Sequence, residues 1–158
     1  MLCSSQFSIG LIGTAYFVGE TFGAIIFTFL MTRLTDGRLP ILRVRMIANF
    51  IVLLGYLILP SHPINLFLLN FCLGFLSAIG HIFGYPYSCE MVSDEDRKFI
   101  GSAGHMIDKE VNLIFLILIY LFDISWSFVI YPAIILAFIG YFLTLILPDS
   151  PKLYHDEG

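Results

Sequence analysis

Charge is scarce in this sequence. Lys, Arg, Asp and Glu make up 13% of its 158 residues, against roughly a quarter in a soluble domain, while hydrophobic residues reach 58%. A water-soluble fold of this length would bury one ordinary core and still need a polar surface, which so few charges do not supply. Cysteine is also sparse: Cys3, Cys72 and Cys89 are odd in number, and the last two fall in or near one apolar segment, so no disulfide framework is implied. The opening MLCSSQFSIG lacks the basic start and cleavage pattern of a secretory signal, so the first apolar stretch is expected to be retained as a spanning helix. A net charge of −4, spread over short acidic patches, excludes a nucleic-acid partner and a polybasic membrane tether.

Motifs for chemistry are missing as well. No phosphate-cradling glycine loop ends in Lys and Ser or Thr, which argues against ATP as an energy source. Four scattered His without paired spacing give no metal site, and no other cofactor is implied. In GSAGH the Ser and His lie three residues apart on one helix, too close to form a nucleophile–base pair, so an enzyme is not expected.

What the sequence does have is long apolar runs. A helix rises about 1.5 Å per residue and a hydrocarbon core is about 30 Å thick, so roughly 20 apolar residues make one span. Five stretches qualify, at about Ser8–Thr32, Leu42–Leu59, Ile64–Tyr87, Phe99–Phe122 and Ser125–Leu147. Lipid offers the backbone no hydrogen bonds, and the runs show no alternation of the kind a barrel strand needs. The expectation is an all-α bundle of about five transmembrane helices in a lipid bilayer, forming one domain over residues 1–158. Arg33, Arg38, Arg43 and Arg45 surround the first loop, Arg97 and Lys98 sit in the third, and Lys152 follows the last span, while PSHP and FDIS contain no Lys or Arg. Cytosolic loops retain basic residues, so the amino terminus is expected outside and the carboxyl terminus in the cytosol.

Small residues recur at helical spacing in two places, Ala15/Gly19/Gly23 and Gly80/Gly84/Ser88, and both ridges read as close helix contacts or as smooth surfaces that permit small shear movements. Ionisable groups inside a bilayer are costly and usually face protein or water. Glu20, midway along the first span, is therefore a candidate proton- or cation-binding carboxylate or a hydrogen-bond partner for a neighbouring helix. His81 reads as a helix-to-helix hydrogen-bond partner or a proton relay. His105, Asp108, Lys109 and Glu110 form a polar stripe early in the fourth span, with His105 one helical turn from Asp108 and Lys109; it lines a cavity or is a self-compensating charge group near the interface. Asn112 and Tyr120 are compatible with cavity lining or with packing.

Three stretches carry a family resemblance. YFVGETFGAIIFTFLMTRLTDGRLPIL resembles the second helix and following cytosolic loop of the major facilitator superfamily, where a Gly-rich helix leads to an Asp-Arg-x-Gly-Arg pattern. Counted from Gly19 and Gly23, the acid of that pattern falls on Thr32, followed by Arg33, and the Gly-Arg pair falls on Gly37 and Arg38 after two extra residues. Asp36 stands one turn from Thr32. YPYSCEMVSDEDRKFIGS is similar to the family's Glu, six residues and Arg closing the fourth helix, here Glu90 and Arg97. LPDSPKLY is similar to the Pro-Glu-Ser-Pro-Arg signature after the sixth helix of sugar porters and organic-cation transporters; Pro148, Asp149, Ser150, Pro151 and Lys152 keep its charge pattern, and Trp126 stands where many relatives begin that helix.

The resemblance numbers the five spans as helices two to six of a protein that typically has about twelve, in two halves with the solute held between them. It implies secondary transport of a small polar or charged organic solute by alternating access. This chain would then be a fragment or truncated member that works with the missing helices or a second membrane chain; the competing expectation is a non-transporting partner or assembly subunit that keeps part of the fold. It also implies an inner gate latched by the motif charges, with Glu90 and Arg97 approaching the loop that bears Arg33, Asp36 and Arg38, and places the stripe of the fourth span beside the central cavity.

Overall fold

The computed structural model describes residues 6–31, 38–59, 62–104, 106, 117, 121 and 127–148. Five α-helices are defined there: α1 (Gln6–Met31), α2 (Leu39–Ile58), α3 (Pro63–Ile79), α4 (Tyr85–Glu90) and α5 (Ser127–Ile146), with a π-helical turn, Gly80–Gly84, joining α3 to α4. Residues 97–104 are also helical, and there is no strand among the described residues. The expected stretch Phe99–Phe122 lies largely outside the described residues, as do Tyr120 and Trp126.

Prolines set the helix starts. Pro40 and Pro63 occupy first-turn positions, where a missing N–H costs nothing, and His62 accepts a hydrogen bond from the Ile64 amide at the start of α3. Gly10–Met31, Leu39–Ile58, Pro63–Glu90 and Phe128–Ile146 are each long and apolar enough to cross a bilayer. Their outer faces settle the solvent. Phe17, Phe22, Ile25 and Phe29 on α1, Val44 and Ile51 on α2, and Phe128, Leu136 and Phe142 on α5 are all exposed, an apolar surface that water would not tolerate and lipid covers. The chain is an all-α, multi-pass membrane protein.

Contacts fix the sense of each helix. Tyr16 meets Ser77, Gly23 meets Phe75 and Phe27 meets Phe83, so α1 and α3 run parallel. Gly55 against Leu69, Leu42 against Gly84 and Arg38 against Glu90 make α2 antiparallel to α3 and α4. Phe50 against Phe138 and Arg43 Nε on the Thr144 carbonyl at 3.1 Å make α5 antiparallel to α2. The buried centre gathers Leu39 and Leu42 of α2 with Ile79, Phe83 and Tyr87.

The α1–α3 contact is a backbone contact. Ala15 is fully buried, a methyl on Gly19 would overlap the Phe71 carbonyl, and a methyl on Gly74 would overlap the Tyr16 carbonyl. At Gly23 it would stand 2.7 Å from the Phe75 carbonyl oxygen and 2.8 Å from Ala78 Cβ. Only residues without a side chain let helices close to this separation.

The second expected ridge behaves differently. The space a Gly80 methyl would need is filled by the Arg45 guanidinium, whereas a methyl on Gly84 would meet only Leu42 Cδ2 at an ordinary 3.7 Å. Ser88 turns back to donate to the Gly84 carbonyl at 2.9 Å. Gly80, Gly84 and Ser88 thus form the wall of a cleft rather than a helix-contact ridge. Arg43 and Arg45, read from sequence as flanking a loop, lie inside α2.

Candidate functional site

Pro86 dictates the local geometry from which the site is built. It has no N–H to donate, and in a regular helix its ring would collide with the carbonyl of Ile82 four residues back. The preceding π turn relieves this: the Tyr85 amide bonds the Gly80 carbonyl, five residues back instead of four. One extra residue per turn rotates everything after it by about 100°. His81, at the start of that turn, reaches Glu20 of α1, Tyr85 lies against His81 and Gly104, and Ser88 shares a cavity wall with Arg45 of α2.

His81 Nδ1 lies 3.1 Å from Glu20 Oε1, each side chain about a quarter exposed. One turn earlier on both helices, the Tyr16 hydroxyl donates to Ser77 Oγ at 2.9 Å. These are two rungs of one polar ladder across the glycine-packed α1–α3 interface. The His81 ring also stacks on Tyr85, with centroids 5.5 Å apart and planes at 18°, and the Tyr85 hydroxyl donates to the Gly104 carbonyl at 3.3 Å. Glu20 is eleven residues from the end of α1 and His81 nine from Glu90, so the pair sits about 13–16 Å from that end of the bundle, near the middle of a 30 Å core. A carboxylate and an imidazole in contact at that depth each supply the other's polar partner.

Arg45 faces the same region from α2. A cavity of about 350 Å³ is lined by Arg45, Gly80, His81, Gly84, Tyr85 and Ser88, among others. Toward α5 a second cavity of about 390 Å³ shares Arg45, Gly84 and Ser88 but is otherwise mainly apolar, with Leu42, Met46 and Leu147 in its wall.

At the end of the bundle where α2 starts and α4 stops, Arg38 Nη1 stands 2.8 Å from Glu90 Oε1, with 24% and 10% of the two side chains exposed. That nitrogen is buried, so the contact with the carboxylate is screened little by water. Close by, the Tyr87 hydroxyl donates to the Pro148 carbonyl at 2.6 Å, fastening α4 to the end of α5. Among the described residues Arg97 is engaged locally: Nη2 pairs with Asp94 at 2.8 Å and Nε donates to the Cys89 carbonyl at 3.0 Å.

A sequence profile described as Major Facilitator Superfamily matches residues 2–157. The chain belongs to the major facilitator superfamily. Its helices are accordingly part of a facilitator bundle, and the match is to the superfamily rather than to a branch of it. No curated protein sequence matches the chain.

Within this facilitator the structure brings Glu20 to His81 and Arg38 to Glu90, and puts Gly23 in the α1–α3 interface, away from the charge pair. Thr32, Arg33, Asp36, Gly37, His105, Asp108, Lys109, Glu110, Asn112, Asp149 and Lys152 lie outside the described residues. Among the described residues no three His, Cys, Asp or Glu converge as metal ligands would. Sequence reasoning missed Arg45, Tyr16, Ser77 and Tyr85. For Arg45 the signal was present: it falls within the apolar run that begins at Leu42, and a cation inside a span is itself a site indicator.

Proposed function

We propose that the chain supplies one helical bundle of a secondary transporter that moves a small polar or charged organic solute by alternating access, without ATP hydrolysis. The observation that carries this reading is the Glu20–His81 contact at mid-depth, within a family whose solutes are held near the midplane between two bundles. Glu20 and His81 are read as the coupling or solute-contacting centre, and the Arg38–Glu90 pair, with Arg33, Asp36, Gly37, Arg97, Asp149 and Lys152 of the same motifs, as the inner gate. His105, Asp108, Lys109, Glu110 and Asn112 are read as further cavity positions. The remaining wall of the solute path comes from further helices or a second membrane chain. LPDSPKLY supports the sugar-porter and organic-cation branch.

Glu20→Gln keeps the shape of the side chain and removes its charge. In the intact transport system it is expected to abolish any pH-dependent or cation-selective component of uptake while membrane insertion is unchanged. Among the described residues, His81 meets the altered position and the Tyr16–Ser77 pair lies one turn away. Uptake that keeps its full dependence on pH and cation would return Glu20 to a packing role.

Orientation follows from combining helix sense with charge. The ends of α1, α4 and α5 and the start of α2 lie together, and Arg33, Arg38, Arg97, Lys98 and Lys152 belong to the segments that flank those ends. Basic flanks mark the cytosolic side, so the amino terminus is outside. With Cys3, Cys72 and Cys89 replaced, a single cysteine at Ser61 is expected to react with a membrane-impermeant maleimide added outside, and one at Gly37 only after permeabilisation. The reverse pattern would invert the topology.

A further inference from the structure

We propose that Tyr85 is a positioning residue for the Glu20–His81 pair: its ring, held by the backbone of helix 97–104, fixes the plane of the His81 imidazole and with it the reach of Nδ1 to the carboxylate. The inference rests on the transport reading only in giving that pair a coupling role; where His81 stands is measured without uptake.

The imidazole needs such a support. The χ2 torsion of His has broad minima, so the side chain does not set its own ring plane. One contact through Nδ1, 3.1 Å from Glu20 Oε1, leaves the ring free to tilt about that contact. The Tyr85 ring supplies the second constraint. Its plane lies 18° from that of His81 with the centroids 5.5 Å apart, an offset stack in which tilting one ring drives it into the other.

Tyr85 is itself fixed at both ends. Its amide bonds the Gly80 carbonyl across the π turn, and its hydroxyl donates to the Gly104 carbonyl at 3.3 Å. Between those ends the ring edge lies on the backbone of helix 97–104, where a methyl on Gly104 would stand 2.9 Å from Cε1 and 3.3 Å from Cδ1. Gly104 thus serves this helix as Gly19 serves α1, by admitting a neighbour where a side chain would stand. The contacts run from Gly104 through Tyr85 and His81 to Glu20, joining helix 97–104 to α1 by way of the π turn. Both middle links are ring side chains with few torsions, so a displacement at Gly104 reaches Nδ1 with little slack.

The full chain, with its four histidines isotope-labelled at the ring nitrogens, is placed in phosphatidylcholine nanodiscs and followed by NMR at one neutral pH. The signal lost in His81→Gln belongs to His81. Ring-nitrogen shifts respond to the proton and hydrogen bond each nitrogen carries far more than to a neighbouring ring. Glu20→Gln marks the shift of a His81 without the carboxylate. Tyr85→Leu is expected to move the Nδ1 signal most of the way to that mark, and Gly104→Ala, whose methyl meets only Tyr85 among the described residues, part of the way. Gly101→Ala adds the same methyl on the same helix, at an ordinary 3.6 Å from Cys89 Sγ, and should leave the signal at its wild-type position. His62, whose Nδ1 accepts from the Ile64 amide at the other end of α3, reports the fold. If Tyr85→Leu shifts His62 as well, it has lost its fold. Tyr85→Phe, which keeps the ring and loses only its bond to Gly104, then takes its place, with a smaller shift of His81 alone expected. A wild-type His81 signal in a folded Tyr85→Leu, or in Tyr85→Phe where the Leu variant does not fold, overturns the proposal, and so do equal shifts in Gly104→Ala and Gly101→Ala. Uptake that keeps its pH and cation dependence in Glu20→Gln would remove the coupling reading and leave this one; a His81 signal indifferent to Tyr85 would do the reverse.

Discussion

Gly74→Leu and Gly19→Leu are expected to separate α1 from α3 and to be the most damaging single substitutions in the chain. At both positions the atom in the way is a backbone carbonyl oxygen, of Tyr16 and Phe71 respectively, and a backbone cannot rotate aside as a side chain does. Even Ala at either site should cost about 1–3 kcal/mol by overpacking, and Leu more. Gly10 and Gly13 are controls on the same helix, since a methyl at either meets nothing within 4 Å, and Ala there should stay within about 0.5 kcal/mol of wild type. Denaturation of the purified protein by increasing mole fraction of a charged detergent, followed by circular dichroism, measures the difference. Because Glu20 neighbours Gly19 and His81 lies on the opposing helix, loss of the interface also breaks the Glu20–His81 contact. A Gly74→Leu protein as stable as Gly13→Leu would mean that the helices do not meet through their backbones.

How much of this could be read in the sequence depends on how local the cause is. Apolar run length alone produced the helices, because in lipid nothing else satisfies the backbone. Glu20 stood out for the same reason, as a carboxylate deep in a span, and the Ala15/Gly19/Gly23 ridge followed from spacing four apart. Its partners did not follow. That Glu20 meets His81, and Tyr16 meets Ser77, depends on which α3 residues slide opposite α1, and Gly74 and Ala78 decide that by fitting into the ridge. Gly80 and Gly84 have the same spacing as Gly19 and Gly23 but another use: the Arg45 guanidinium fills the space beside Gly80, and a methyl on Gly84 would meet only Leu42. Arg45, inside the run that begins at Leu42, was counted only among the charges that surround the first loop. Where its guanidinium goes depends on Gly80, a residue of a different element whose missing side chain leaves the space that the guanidinium fills.

The charge pair at the bundle end yields the last prediction. Arg38→Ala removes the cation beside a carboxylate that is only 10% exposed, and leaving a charge so buried without it should cost about 3 kcal/mol, the low end for a buried pair because the site is near a helix end. Glu90→Ala should cost less, since the Arg38 side chain is already 24% exposed and can turn to water. The double variant Arg38→Glu, Glu90→Arg restores attraction between the two positions and should recover part of the loss. Stability alone does not distinguish a latch from a strut, so the readout is Cys89, the neighbour of Glu90, whose thiol lies against the Arg97 carbonyl at 3.8 Å and is half-buried. If the pair holds α2 and α4 together as one end of the solute path closes, Arg38→Ala should speed maleimide labelling of Cys89 several-fold and the charge-swapped protein should return it toward the wild-type rate. Faster labelling in both would show a general loosening, and unchanged labelling in Arg38→Ala would show that the pair ties down nothing that moves.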